Sequence, residues 1–179
     1  MGNFFHRIYI LDISTILITI PILLLAWSMI GAAFYKYMRI IGTVMAVIAV
    51  TAILYVTVLT RSESGAGADF IPFSSFERAK IQPEMYRSML MNVFLFVPPG
   101  LAFPFLFGGG TAKRILLTTL IGFLLSMTVE AIQYFGNLGM AETDDVICNT
   151  LGTAIGCCAY LLTLLWGKLF TKDHRKENA

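Results

Sequence analysis

An all-α integral membrane protein, a compact bundle of about five transmembrane helices with an interfacial segment between the second and third, is the fold class this sequence predicts. Three observations predict it. The chain is 57% hydrophobic and only 13% charged, well to the apolar side of water-soluble domains. Its mean hydropathy of +0.76 says the same. Five apolar runs each approach the ~20 residues that a helix needs to cross the hydrocarbon core. With most of the 179 residues committed to lipid, one membrane domain over 1–179 is expected.

The first run covers 8–31, with Asp12 near its start and Pro21 inside it. It is longer than the apolar core of a cleaved signal peptide and reads as a retained anchor. Asp12 lies close enough to the interface to snorkel or find a neighbour. The second run, 40–60, carries only small hydroxyls such as Thr43, Thr51 and Thr57, which can bond their own helix backbone. Between 61 and 87 lies the longest stretch outside the spans. It opens with a flexible Ser-Glu-Ser-Gly-Ala-Gly and continues into Asp69-Phe70-Ile71-Pro72-Phe73, with Phe76, Ile81 and Met85 set among charges. Such a segment lies along a membrane surface with its charges in the headgroups, or else forms a solvated loop.

The third run, 88–107, holds Asn92, then Pro98-Pro99-Gly100, then Pro104. Proline removes a backbone donor, so a kink or interruption is expected at the double proline. Gly108-Gly109-Gly110 is a turn and lacks the Lys-Ser/Thr of a phosphate loop. The fourth run spans 115–135 and the fifth 144–167, followed by a basic tail.

Several classes of chemistry fall away. The net charge of +2 is ordinary for a membrane protein with basic loops and gives no sign of nucleic acid. His6 and His174 lie near the termini, so histidine acid–base work and a His-ligated zinc are not expected. Cys148, Cys157 and Cys158 lack metal-site spacing and read as small interior side chains.

The polar residues converge instead. Ser126, Glu130 and Gln133 share one face of the fourth helix, and Asp145, Asn149, Gly152 and Gly156 share one face of the fifth. Alternating helix direction brings Asn92, Glu130, Gln133, Asp144, Asp145 and Asn149 to the same membrane face. Singly, each has a structural reading: Thr143 with Asp144 and Asp145 as a helix start, the amides as interhelical bonds, and Gly152 with Gly156 as a packing seam. Together they read as a lined cavity, because a carboxylate inside an apolar run costs at least ~2.5–3.5 kcal/mol. Lys36, Arg39, Lys113, Arg114, Lys168, Lys172, Arg175 and Lys176 gather on one side, against Arg7, Arg61, Arg78, Lys80 and Arg87 on the other. The positive-inside rule then puts the C-terminus in the cytoplasm, and the N-terminus and the polar cluster outside.

Ile71-Pro72-Phe73, Asn92 with Leu95-Phe96 and Pro98-Pro99-Gly100, Ser126 with Glu130 and Gln133, and Asp144-Asp145 with Asn149-Thr150 and Gly152 occur in the order seen in the VanZ-like family, which the chain resembles over about 69–160. That family is named for an accessory glycopeptide-resistance protein that lowers susceptibility to teicoplanin. The resemblance implies a multi-pass protein of the bacterial cytoplasmic membrane with an envelope-facing role and glycopeptide tolerance. Two departures stand out: residues 135–143 lack the arginine often found there, and the acidic triplet begins with Glu142 rather than aspartate. An anion-binding role would fall to Arg78, Lys80 or Arg87.

Two functions fit. In one, the site binds or modifies a lipid-linked envelope precursor or other anionic headgroup. Glu130, Asp144 and Asp145 would hold a divalent cation or supply a base, while Asn92, Ser126, Gln133, Asn149 and the three basic residues orient the ligand. In the other, a non-catalytic module binds antibiotic, lipid or a partner protein. Transport is less favoured, since no inverted repeat is visible.

Overall fold

The computed structural model describes residues 12–61, 67–82 and 84–177, with side chains through Leu169. His6, Arg7 and the polar stretch 62–66 lie outside the described residues. Among the described residues, five helices are long and apolar enough to cross a membrane: Ile13–Ala33, Tyr35–Leu59, Glu84–Phe105, Thr111–Phe135 and Thr143–Leu169. The chain is a multi-pass, all-α membrane bundle, as its composition predicts.

Helix α1 covers Ile13–Ala33. A 3₁₀ turn at Tyr35–Tyr37 leads into α2, Met38–Leu54, which widens into a π turn over Tyr55–Leu59. Strand β1 is Gly67–Asp69 and the short helix α3 is Ser74–Ala79. Helix α4, Glu84–Ala102, closes in a 3₁₀ turn at Phe103–Phe105. Helix α5 is Thr111–Phe135, β2 is Met140–Glu142, and α6 begins at Thr143 and runs to Glu177.

Helices α4 and α6 form the interior: 61% and 56% of their spanning windows are buried, against 22–28% for the other three. Their close approach has a local cause. A methyl group at Gly152 would land on the Val93 carbonyl oxygen, one at Gly156 on the Val97 carbonyl oxygen, and one at Gly100 on the Thr153 carbonyl oxygen. Three glycines therefore let two backbones touch, in the manner of small-residue seams in membranes. Ile16 and Ile20 of α1 close the core over Met89, Val93, Val97 and Leu101. Cys148 and Cys157 are buried and form no disulfide, as expected of small interior side chains, but Cys158 is exposed, on the outer face of its helix.

The double proline does not break α4. The helix passes through Pro98 and Pro99, and the change to 3₁₀ geometry comes at Pro104. Carbonyls near this end find donors elsewhere: Trp27 Nε1 donates to Leu101 O at 2.8 Å, and Arg114 donates to Pro104 O at 3.2 Å. Helix α4 also begins four residues earlier than its apolar run, because Glu84 and Arg87 occupy its first turn. Asp12 finds a neighbour at the interface, accepting a hydrogen bond from the Ser14 hydroxyl.

Residues 67–82, between the second and third spans, are more ordered than their composition suggests. Strand β1 pairs in parallel with β2, setting Gly67 beside Met140, Ala68 beside Ala141 and Asp69 beside Glu142. Phe70, Ile71, Phe73 and Ile81 remain exposed, the arrangement expected of a segment resting on a membrane surface.

Candidate functional site

The β1–β2 pairing places the 67–82 segment across the end of the bundle where α5 finishes and α6 begins. Asp144, 1% exposed, is the anchor. Its carboxylate accepts the Phe73 N–H at 2.6 Å and the Ser75 N–H at 2.7 Å. Phe73 adopts a left-handed conformation, φ 66°, unfavourable for a bulky residue and held here by that bond. Beside it, Glu142 accepts from the Ser75 hydroxyl at 2.7 Å and from Arg78 at 2.9 Å. Arg78 also reaches Asp69 at 3.2 Å. Asp69 in turn accepts the Ser74 hydroxyl and the Ile71 N–H. These bonds, the Ser74 hydroxyl first, hold the Asp69 carboxyl below its ordinary range.

Behind this cap sits Glu130, 7% exposed, near the end of α5. Its Oε2 accepts the Glu142 N–H at 3.1 Å. Asp145 and Arg61 both lie close enough to act on it, and Asn92 of α4 lies near the Asp145 carboxyl. Gln133 donates to Thr57 O at 3.0 Å, satisfying a carbonyl of the α2 π turn. Asn149 donates to Ser126 Oγ at 2.8 Å, joining α6 to α5. Among the described residues, Oε1 of Gln133 and Oδ1 of Asn149 accept no hydrogen bond from the protein.

A cavity of about 450 Å³ opens beside Glu130, between α5 and α6. Phe123, Met127 and Tyr134 form one wall, Val146 and Ile147 the other, with Phe70 at the mouth; Glu130 and Glu142 are its carboxylates. Asp145 and Asn149 do not line it. They lie on the face of α6 turned into the bundle, whereas Thr143, Val146 and Ile147 face the groove.

The six polar residues expected to converge lie, with Ser126, toward one end of the bundle, and the seven divide into three jobs. Glu130, Asp145 and Asn92 form a buried carboxyl centre. Ser126, Gln133 and Asn149 tie helices together. Asp144 holds the surface segment, so it does not join Glu130 and Asp145 in a three-carboxylate set. Among the described residues no group of three or more Asp, Glu, His or Cys side chains has metal-ligand geometry. Of the basic candidates, Arg78 lies in the cap, Lys80 turns away to pair with exposed Glu77 at 2.7 Å, and Arg87 is half-buried in the first turn of α4. Arg61 was not expected here. Its signal was its position, one residue past an apolar run on the same face as the acids.

A family model, VanZ/LLP1, matches residues 40–166. The chain belongs to the VanZ/LLP1 family. The match takes in α2 as well as the region whose motifs carry the resemblance, so it covers both the π turn that Gln133 caps and the end of the bundle with the candidate site. No curated protein and no solved structure matches the chain.

Proposed function

We propose that this VanZ-family protein binds a lipid-linked envelope molecule at the outer leaflet, its hydrocarbon part in the α5–α6 groove and its polar part against Glu130 and Glu142. The observation that carries the reading is two carboxyl groups lining an otherwise apolar groove within the size range, about 300–1,000 Å³, of ligand pockets. An apolar wall takes a chain, and a carboxylate in low dielectric recognises hydroxyl, amide or ammonium donors strongly. Headgroups rich in such donors suit this lining better than bare phosphate, since Arg78 is already engaged by Asp69 and Glu142. The reading is one of binding: Asp144 is occupied by the Phe73 and Ser75 N–H groups and Glu130 by that of Glu142. Sequestering a glycopeptide's target would give the teicoplanin tolerance that the family resemblance implies.

The test expresses Glu130→Gln and Met127→Trp at matched membrane levels and reads teicoplanin susceptibility and retention of lipid-linked precursor on the purified protein. The first removes an ionisable carboxyl at nearly constant volume; the second fills the groove. Both variants should lose retention and protection. Wild-type behaviour of both would refute the groove as a binding site. Orientation rests on the excess of basic residues at the opposite end: a cysteine placed at Gly139 should label from outside intact cells. Labelling only after permeabilisation would move the ligand to the cytoplasmic leaflet.

A further inference from the structure

The opposite end of the bundle has the reverse electrostatics. No Asp or Glu occurs between Asp12 and Glu63, between Glu84 and Glu130, or between Asp145 and Asp173. Every connection at that end therefore lacks a carboxylate, while Lys36, Arg39, Lys113, Arg114 and Lys168 all lie there. The cations are not merely spread over a surface. The 3₁₀ turn between α1 and α2 and the connection from α4 to α5 enclose a cavity of about 210 Å³, lined by Tyr35, Lys36, Arg39, Phe105, Phe107 and Arg114 among others.

Arg114 is fixed before any ligand arrives. Its Nε donates to Gly109 O at 2.9 Å and its Nη1 to Pro104 O at 3.2 Å, while its guanidinium sits 5.6 Å from the Tyr160 ring centre. Bonds to backbone carbonyls order the guanidinium yet leave its charge uncancelled, and an ordered arginine suits the oxygens of a phosphate. A side chain already ordered loses little rotamer freedom on binding. Tyr35 also lines a second cavity, about 470 Å³, with Ala32, Thr163, Leu164 and Lys168. A headgroup in the first cavity would have room for its chain in the second.

We propose that this paired cavity is a specific site for the phosphate diester of an anionic phospholipid in the leaflet opposite the candidate site, with Arg114, Arg39 and Lys36 as its cationic contacts. The adjoining groove is what favours a lipid over a free phosphate ion. A basic pocket between spans is the usual form of such recognition.

The test uses the full chain purified in detergent and native mass spectrometry with added phosphatidylglycerol, phosphatidylcholine or inorganic phosphate. The variant is Lys36→Gln with Arg39→Gln, two exposed side chains whose loss leaves the Arg114 tethers in place. Wild type should retain phosphatidylglycerol over phosphatidylcholine, and the double variant should lose about 30-fold of that preference, from about 1 kcal/mol per basic residue at a membrane surface and 1.4 kcal/mol per tenfold. Millimolar phosphate should not displace the lipid. Equal retention of both lipids by wild type would overturn the site. So would an unchanged preference in the double variant, and displacement by phosphate would reassign it to a free anion.

Discussion

Replacing Asp144 with asparagine should release the surface segment without unfolding the bundle. The native carboxylate takes two backbone N–H groups, at 2.6 and 2.7 Å, in a position only 1% exposed. An amide of the same shape offers one acceptor and turns an NH₂ toward the other N–H. One charge-assisted bond is lost and the survivor becomes neutral, at about 1.5–3 kcal/mol for a hydrogen bond to a charged group. A net cost of about 2–3 kcal/mol raises the local opening of the segment about 30- to 150-fold at 1.36 kcal/mol per tenfold. Hydrogen exchange on the protein in lipid discs measures this directly. The Phe73 and Ser75 amides should lose protection by that factor, while amides in the middle of α4 and α6 should keep theirs. The Phe73 backbone, held at φ 66°, should also relax to ordinary values. Unchanged exchange at residues 71–79 would show that β1–β2 pairing and Arg78 hold the segment unaided, and the assignment of Asp144 as anchor would be wrong.

Gly152→Ala places a methyl group on the Val93 carbonyl oxygen, so α4 and α6 must separate. The thermal midpoint in detergent should fall with a cost of about 1–3 kcal/mol, whereas Gly167→Ala, whose Cβ meets nothing within 4 Å, should leave it unchanged or raised. Asp69 is held below its ordinary value of 3.8 by Ser74, Ile71 and Arg78. A carboxyl depressed by folding contributes stability above its unfolded value and loses it as pH falls through the folded one. Protection of the Ile71 amide, corrected for intrinsic rate, should therefore hold down to about pH 4 and be lost only below it; Asp69→Asn should remove the step.

The spans were legible because a 20-residue apolar run has few other uses, and the shared depth of Asn92, Glu130 and Asp145 followed from alternating helix direction alone. What was illegible depended on partners far away in sequence. Gly152 and Gly156 announce a seam, but nothing in the sequence says that Gly100 is its other half. Strands of three residues, Gly-Ala-Asp and Met-Ala-Glu, have no periodicity to read. Asp144 looked like an acid at a helix start, since only the fold shows that the N–H groups it accepts belong to Phe73 and Ser75. The Pro98-Pro99 pair signalled a break, yet the helix continues through both to Ala102, since a missing donor is tolerable in a helix packed among others. Arg61 passed for a loop charge because the acids it faces arrive from other helices.

The distance along the chain between Phe73 and Asp144, 71 residues, sets the order in which the molecule can be built. The ribosome must make α4, α5 and β2 after the surface segment before its anchor exists. At about 5–20 residues per second, that wait lasts about 4–14 s. During it, the membrane surface itself is the holding device: Phe70, Ile71 and Phe73 can rest in the headgroup layer until the last helix inserts. The groove beside Glu130 is thus among the last features to form, and a nascent chain stalled before its fifth span has no site at all.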